Sequence, residues 1–205
     1  SRLFSARGIN LRGVPMGRFN LSDYFSVGMG GKDEIEDLEE GDDPFVSTSE
    51  RDNGVSNWKK ANEMFPAGSI TVATDGSAYK SFVQEFPFYA FYKVAVLTPK
   101  SKISRDALYY VSYLINREVW RFVRARKFGK GRITATVLYG PVDASGKPDF
   151  AKMASLIQEG AAYPILKDFR EVRQKAIELK IRRLISEWKT ENQYVSSVGK
   201  ISASR

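Results

Sequence analysis

The stretch PAGSITVATDGSAYKSFVQEFPFYAFYKVAVLTPK, Pro66–Lys100, decides the fold class. Within it Ser69–Ala73 is a β-branched run opened by Pro66-Ala67-Gly68 and closed by Asp75-Gly76, the punctuation of a strand that runs into a tight turn. Ala78–Gln84 and Val94–Leu97 have the same β character; Pro87 separates them and Pro99 ends the second, because proline cannot donate to a ladder. Three such runs in succession predict a sheet. Downstream the period changes from two to between three and four. Ser104 stands as an N-cap, and Leu108, Val111, Ile115, Val119 and Phe122 recur at helical steps, which predicts a helix to about Arg126 with that stripe in the core. Gly129-Lys130-Gly131 is expected to end the helix, Ile133–Leu138 to form another strand stopped at Pro141, and Val142–Pro148 to be a turn-rich loop. The alternation predicts an α/β domain with a mixed sheet over residues 1–160.

Residues 161–205 read differently. Pro164 suits the first turn of a second helix, where its missing N–H is not needed, and the pattern carries that helix to about Trp188. Ile165, Val172 and Leu179 repeat every seven residues with Phe169 and Ala176 between them, while Ile177, Ile181, Leu184 and Trp188 form a second stripe. Two apolar faces call for two neighbours. One can lie on the globular domain; the other asks for a helix of this chain, a second copy in a homodimer, or another subunit. Ordinary packing within the domain is the competing explanation. The expected organisation is therefore a long helical spacer and assembly segment, with a mobile Ser-rich tail after Asn192.

Composition narrows the function. Of 205 residues 42% are hydrophobic and 13% aromatic, enough to fold. No apolar run approaches the roughly 18–20 residues of a membrane span, and the amino terminus lacks the apolar stretch of a secretory signal, so a soluble cytoplasmic protein is expected. The chain has no cysteine and no histidine. That excludes disulfide frameworks, the usual zinc spacings and every Ser-His or Cys-His nucleophile, leaving carboxylates as the candidates for catalysis and neither metal nor cofactor expected. Net charge is +8 with a pI near 9.6, a balance suited to a polyanionic partner. The charge is segregated: between Lys32 and Asp52 ten acids meet two bases, a net of −8, whereas between Lys100 and Arg132 ten bases meet two acids, a net of +8.

Two groups of residues suit a duplex. Arg117, Arg121 and Arg124 fall at i, i+4 and i+7, on one helix face, and Arg126, Lys127, Lys130 and Arg132 follow in a glycine-flexed turn. Such a cluster fits phosphates; a solvated helix face is the alternative. Val46–Lys60, VSTSERDNGVSNWKK, mixes donors and acceptors for base edges with cations for the backbone. Ser49, Arg51, Asn53, Asn57, Lys59 and Lys60 are its candidates, joined by Ser77 and Lys80 of the polar turn after Ser69–Ala73. Turns are built from the same residue types, so a plain surface loop competes with this reading.

Enzymatic readings fail at particular residues. A DNA methyltransferase needs a glycine-rich cofactor loop after a strand and an Asn/Asp-Pro-Pro-aromatic tetrapeptide, and the chain has neither. A carboxylate-metal nuclease would have to combine Asp149 with Glu178-Leu179-Lys180, which lie in an amphipathic helical pattern instead of at a sheet edge. No carboxylate pair stands out as a glycosidase would require.

From Pro66 onward the chain resembles the target-recognition domain of type I restriction-modification specificity subunits and of related single-chain restriction-methyltransferases. The resemblance rests on Gly68-Ser69-Ile70-Thr71-Val72, the polar turn after it and the aromatic-Pro-Phe step at Phe86-Pro87-Phe88. Farther on it includes Arg121-Phe122 with Arg126-Lys127, the Pro141-Val142-Asp143 to Gly146-Lys147-Pro148-Asp149 loop, and Met153; Phe19–Phe25 and Phe45–Gly54 are similar to the family's opening. It covers Phe19 to Ile157, with the Pro164 helix in the place of a spacer helix. The sequence departs from the pattern at Thr134–Tyr139, and at Asp75, where a neutral residue such as Asn is common. The resemblance implies sequence-specific binding of double-stranded DNA, reading half of a bipartite site, without catalytic residues or cofactor. It implies helices that dock DNA methyltransferase and restriction subunits or domains, and a chain that is a half-subunit or an excised domain. A metal-dependent nuclease and a protein-interaction domain with an incidental basic face are the rival functions.

Overall fold

The computed structural model describes residues 11–60, 64–76, 79–118 and 130–172, with single helical positions at 174, 175, 178, 182 and 186. The chain divides into a unit of residues 8–160 and a second unit formed by 1–7 and 161–205. In the first unit the strands are β1 (Met16–Asn20), β2 (Phe25–Met29), β3 (Glu40–Val46), β4 (Val55–Lys59), β5 (Ile70–Ala73), β6 (Ser81–Val83), β7 (Tyr89–Ala90), β8 (Val94–Pro99) and β9 (Val137–Pro141). The helices are α1 (Leu21–Tyr24), α2 (Arg105–Arg117), α3 (Lys130–Thr134) and α4 (Phe150–Gln158).

Three sheets share the core. The largest is antiparallel in the order β2-β8-β5-β6, a second has the order β4-β3-β7, and β1 pairs with β9 as a two-stranded ribbon. Pairing of β3 with β7 is parallel and with β4 antiparallel, so the second sheet is mixed. The expected Ser69–Ala73 and Val94–Leu97 strands are the central pair of the first sheet. Their continuous apolar character follows from cover on both faces: Ile70, Val72, Ala73 and Val94 to Leu97 are all buried. Each such Val, Leu or Ile contributes roughly 1.5–3 kcal/mol on burial.

Helix α2 packs along β6 as the stripe predicts, with Leu108, Val111 and Ile115 buried and Ser104 Oγ accepting from Ala107 N at 3.3 Å. Ser112 and Ser81 weld helix to strand through hydroxyl and carbonyl bonds of 2.9–3.0 Å. The helix ends at Arg117, where Glu118 N–H closes onto Ile115 O at 2.9 Å. Its expected continuation to Arg126 lies outside the described residues.

Two expectations are corrected downstream. Lys130-Gly131 does not flex open as a turn but opens α3, and the strand begins at Val137, four residues after Ile133. Ile133 is buried, and the hydroxyls of Thr134 and Thr136 donate back to Lys130 O and Arg132 O at 2.9 Å, which closes helical turns over a segment of β-favouring residues. Gly140 lets the ribbon approach α2 closely. A Cβ on Gly140 would lie 2.7 Å from Leu114 Cδ1, so the Leu114 side chain would have to shift to admit one.

In the second unit residues 163–172 are helical, with Pro164 in the first turn. Ile165, Phe169 and Val172 expose 67, 52 and 67% of their area. The expected stripe residues Ile177, Ile181, Leu184 and Trp188 lie outside the described residues.

Candidate nucleic-acid interface

Three loops meet at one end of the antiparallel sheet. The first, 47–54, joins β3 to β4 and closes with Ser47 N to Gly54 O at 2.8 Å. The second begins at Thr74, after β5, and returns to β6 through Tyr79 and Lys80; the third is Phe91-Tyr92-Lys93, between β7 and β8. A Cβ on Gly76 would lie 3.0 Å from Thr48 Oγ1, so the first two loops touch. Thr74 donates to Lys93 O from its N–H at 2.9 Å and its hydroxyl at 2.7 Å, which ties the second loop to the third.

The second loop also reaches the helices. Tyr79, left-handed at φ 72° and buried, shares a 3.3 Å hydroxyl bond with Thr136, two residues past α3. Asn116, in the last turn of α2, accepts from Ser81 N at 2.9 Å and donates to Ser81 O at 3.0 Å. Lys80 precedes Ser81 and Arg117 follows Asn116, so the Ser81–Asn116 bonds bring Lys80 and Arg117 together at the base of this loop, while Lys130 and Arg132 stand on α3, linked to the loop through the Thr136–Tyr79 bond. Lys130 and Arg132 are exposed, Lys80 is half-buried, and the exposed Arg117 guanidinium lies 5.8 Å from the Tyr113 ring centre. Ser77, Arg121, Arg124, Arg126 and Lys127 lie outside the described residues.

The 47–54 candidates have mixed placements. Arg51 is exposed at the loop tip, and the half-buried Ser49 accepts from Arg51 N at 3.1 Å, a local turn bond. Asn53 is left-handed, at φ 60°, and its amide donates to Val83 O at 2.9 Å while its own carbonyl accepts from Gln84 Nε2 at 2.9 Å. Edge strands need such partners, and β6 is an edge of its sheet: Asn53 satisfies it at Val83, Asn116 at Ser81. Asn57 is exposed on β4 beside Trp58, which exposes 53% of its area. Lys59 is buried, donating to Glu40 at 2.5 Å and Leu38 O at 3.3 Å; Lys60 pairs with Glu39 at 3.4 Å in the open. These two lysines are thus engaged by the acidic segment that β3 carries.

Sequence reasoning placed none of Tyr92, Lys93 and Asp75 in the site. Lys93 Nζ meets Asp75 Oδ2 at 2.9 Å and lies 5.5 Å from the centre of the Tyr92 ring. The Asp75 hydrogen bond, with the charge behind it, raises the Lys93 pKa above the ordinary lysine value. A Tyr-Lys pair between two strand-forming runs, YKVAV, was the available signal. Asp149, the acid a nuclease would need, caps α4 by accepting from Lys152 N at 2.8 Å. Among the described residues no group of three or more acids is placed to hold a metal ion, and no helix is long and apolar enough to cross a membrane.

The sequence and the fold are similar to those of known proteins. A family model described as the type I restriction modification DNA specificity domain matches residues 14–138. The specificity subunit S.BcgI of a type II restriction enzyme from Heyndrickxia coagulans is 22% identical over 148 residues, 70% of this chain and 43% of that protein. The type I restriction-modification S subunit from M. genitalium superposes with a TM-score of 0.55 at 14% identity, covering 84% of this chain and 44% of that one. The HsdS subunit from Thermoanaerobacter tengcongensis gives 0.54 at 13% identity, covering 85% and 43%. The chain spans less than half the length of each of these relatives.

Proposed function

The chain belongs to the type I restriction-modification DNA specificity domain family, and on that premise we propose that it recognises a double-stranded DNA sequence and directs methyltransferase and restriction subunits to it, catalysing nothing itself. The observation that carries this reading is the placing of Lys80 and Arg117 together at the base of a loop that also bears exposed polar groups, with Lys130 and Arg132 exposed on α3. Cations so placed contact phosphates and fix the register of the protein on the duplex; the loops between them meet base edges. Arg51 and Asn57 remain the base-reading candidates of the 47–54 loop and β4, with Ser49, Lys59 and Lys60 behind them.

One such domain reads few base pairs, and a second is needed for a site that is rare in a genome. A partner would be supplied through the helix that starts at residue 163. The exposure of Ile165, Phe169 and Val172 supports an assembly role for it, as a spacer against methyltransferase subunits or in a homodimer. Such a protein works in the cytoplasm with its DNA.

Selection from random duplexes by the full chain tests the proposal. Enrichment of one sequence, with affinity falling steeply as salt rises, is expected. Retention of no sequence with no salt dependence refutes it, and magnesium-dependent cleavage by the chain alone would establish a nuclease in its place.

A further inference from the structure

We propose that Asp75 is a specificity-determining residue, its carboxylate accepting a hydrogen bond from the exocyclic amino group of a base, cytosine first, in the major groove. This rests on the DNA-reading function above. Asp75 stands in the loop whose base carries Lys80 and Arg117, and 62% of its side chain is exposed. DNA carries a negative charge about every 1.7 Å along its axis, so a carboxylate on a surface facing it is repelled by every phosphate. An acid is compatible with that surface where it meets a donor. The donors a duplex offers in its major groove are the amino groups of cytosine and adenine, and acidic side chains accept from cytosine N4.

The carboxylate is held ready for this. Its Oδ1 accepts from Gly76 N at 2.9 Å and its Oδ2 from Lys93 Nζ at 2.9 Å, while Lys93 is itself fixed by the two Thr74 bonds to its carbonyl. Gly76 is left-handed at φ 63°, a turn conformation that glycine adopts without a Cβ penalty. An exposed Lys-Asp pair adds little to folding, so stability does not account for the acid. Lys93 offsets its charge, so the loop can approach a duplex without presenting a bare anion. An ionised carboxylate only accepts, and therefore rejects the guanine O6 and N7 and thymine O4 acceptors.

Selection from random duplexes is run on the full wild-type chain, Asp75→Ala, Asp75→Asn and Lys93→Gln, with thermal melting as the folding control. The wild type is expected to select an amino-bearing base at one position. Asp75→Ala should lose roughly 5- to 150-fold of preference at that position alone. Asp75→Asn keeps the Gly76 bond and should shift the same position toward adenine, whose N6 and N7 an amide pairs bidentately. Lys93→Gln should weaken the preference there and nowhere else. Should Asp75→Ala fail to fold, Asp75→Asn decides. A uniform rise in affinity with the base profile unchanged overturns the inference, because Asp75 would then be only a charge. A flat wild-type profile overturns the DNA-reading function and this inference together, whereas a position that survives both Asp75 variants overturns this inference alone.

Discussion

Asn53→Ala sets a structural role against a base-reading one. The asparagine amide spans from the 47–54 loop to Val83 O at 2.9 Å in a part-buried position, thirty residues along the chain. Its loss removes a bond worth about 0.5–1.5 kcal/mol and leaves the Val83 carbonyl short of a partner. Alanine must in addition hold φ 60°, ψ 23°, a left-handed conformation that costs about 1–2 kcal/mol more without an asparagine side chain. Together these predict a loss of about 2–3 kcal/mol. For a chain of 205 residues that lowers Tm by roughly 4–12 °C. Asn53→Gly, which tolerates the dihedral angles and lacks only the amide, should lose about 1 kcal/mol. Circular-dichroism melting supplies the first readout, and the ratio of affinities for selected and random duplexes the second. An Asn53→Ala chain that melts like the wild type while that ratio falls about tenfold would refute the edge-capping argument and return Asn53 to the base edges.

Replacing Arg117, Lys130 and Arg132 by Gln should weaken binding to every duplex and reduce the slope of log affinity against log salt by about 0.9 for each phosphate no longer neutralised, as read in a salt titration. Gly140→Ala forces a methyl to within 2.7 Å of Leu114 Cδ1 and should cost about 1–3 kcal/mol in urea unfolding, whereas Gly146→Ala, with nothing within 4 Å, should cost only the strain of its positive φ. Ile181→Glu with Leu184→Glu should leave melting of the globular domain intact yet change the mass seen by light scattering or abolish capture of methyltransferase subunits; an unaltered assembly state removes the spacer role.

The parts of this fold that were legible in the sequence are those whose stability is local or uniformly apolar. Ser69–Ala73 and Val94–Leu97 announce buried strands because both faces are covered, and Ser104 with the Leu108-Val111-Ile115 stripe announces α2 because cap and stripe lie within one helix. Strand β3, EGDDPFV, carries three acids and a proline, and no local preference makes it a strand. Its pairing depends on β4 and β7, with Pro44 opposite Trp58 near a register shift and Glu40 held by Lys59. Ile133-Thr134 reads as strand by propensity, yet threonine hydroxyls bonding back to carbonyls four residues earlier turn the segment into helix. The site divides the same way. Charge singles out Arg117, Lys130 and Arg132, all exposed, but the bond that Asn53 makes could not be read from its neighbours, because the edge it caps belongs to a strand thirty residues away. Asp75 and Lys93 are eighteen residues apart, and no spacing rule connects them.

The β1–β9 ribbon also governs when this domain can finish folding. Met16 pairs with Pro141 and Asn20 with Val137, so β1, the first described strand of this unit, waits during synthesis for a partner more than a hundred residues downstream. During that interval the backbone of β1 has no ladder partner and Phe19, buried in the finished structure, is open to solvent or to another nascent chain. Loop closure over such a span costs entropy before the contacts it allows reward it, so ribbon formation is expected late in folding. A truncation between β1 and Val137 leaves β1 without its ladder partner and Phe19 without its cover, where one that removes only residues beyond Gly160 spares the ribbon.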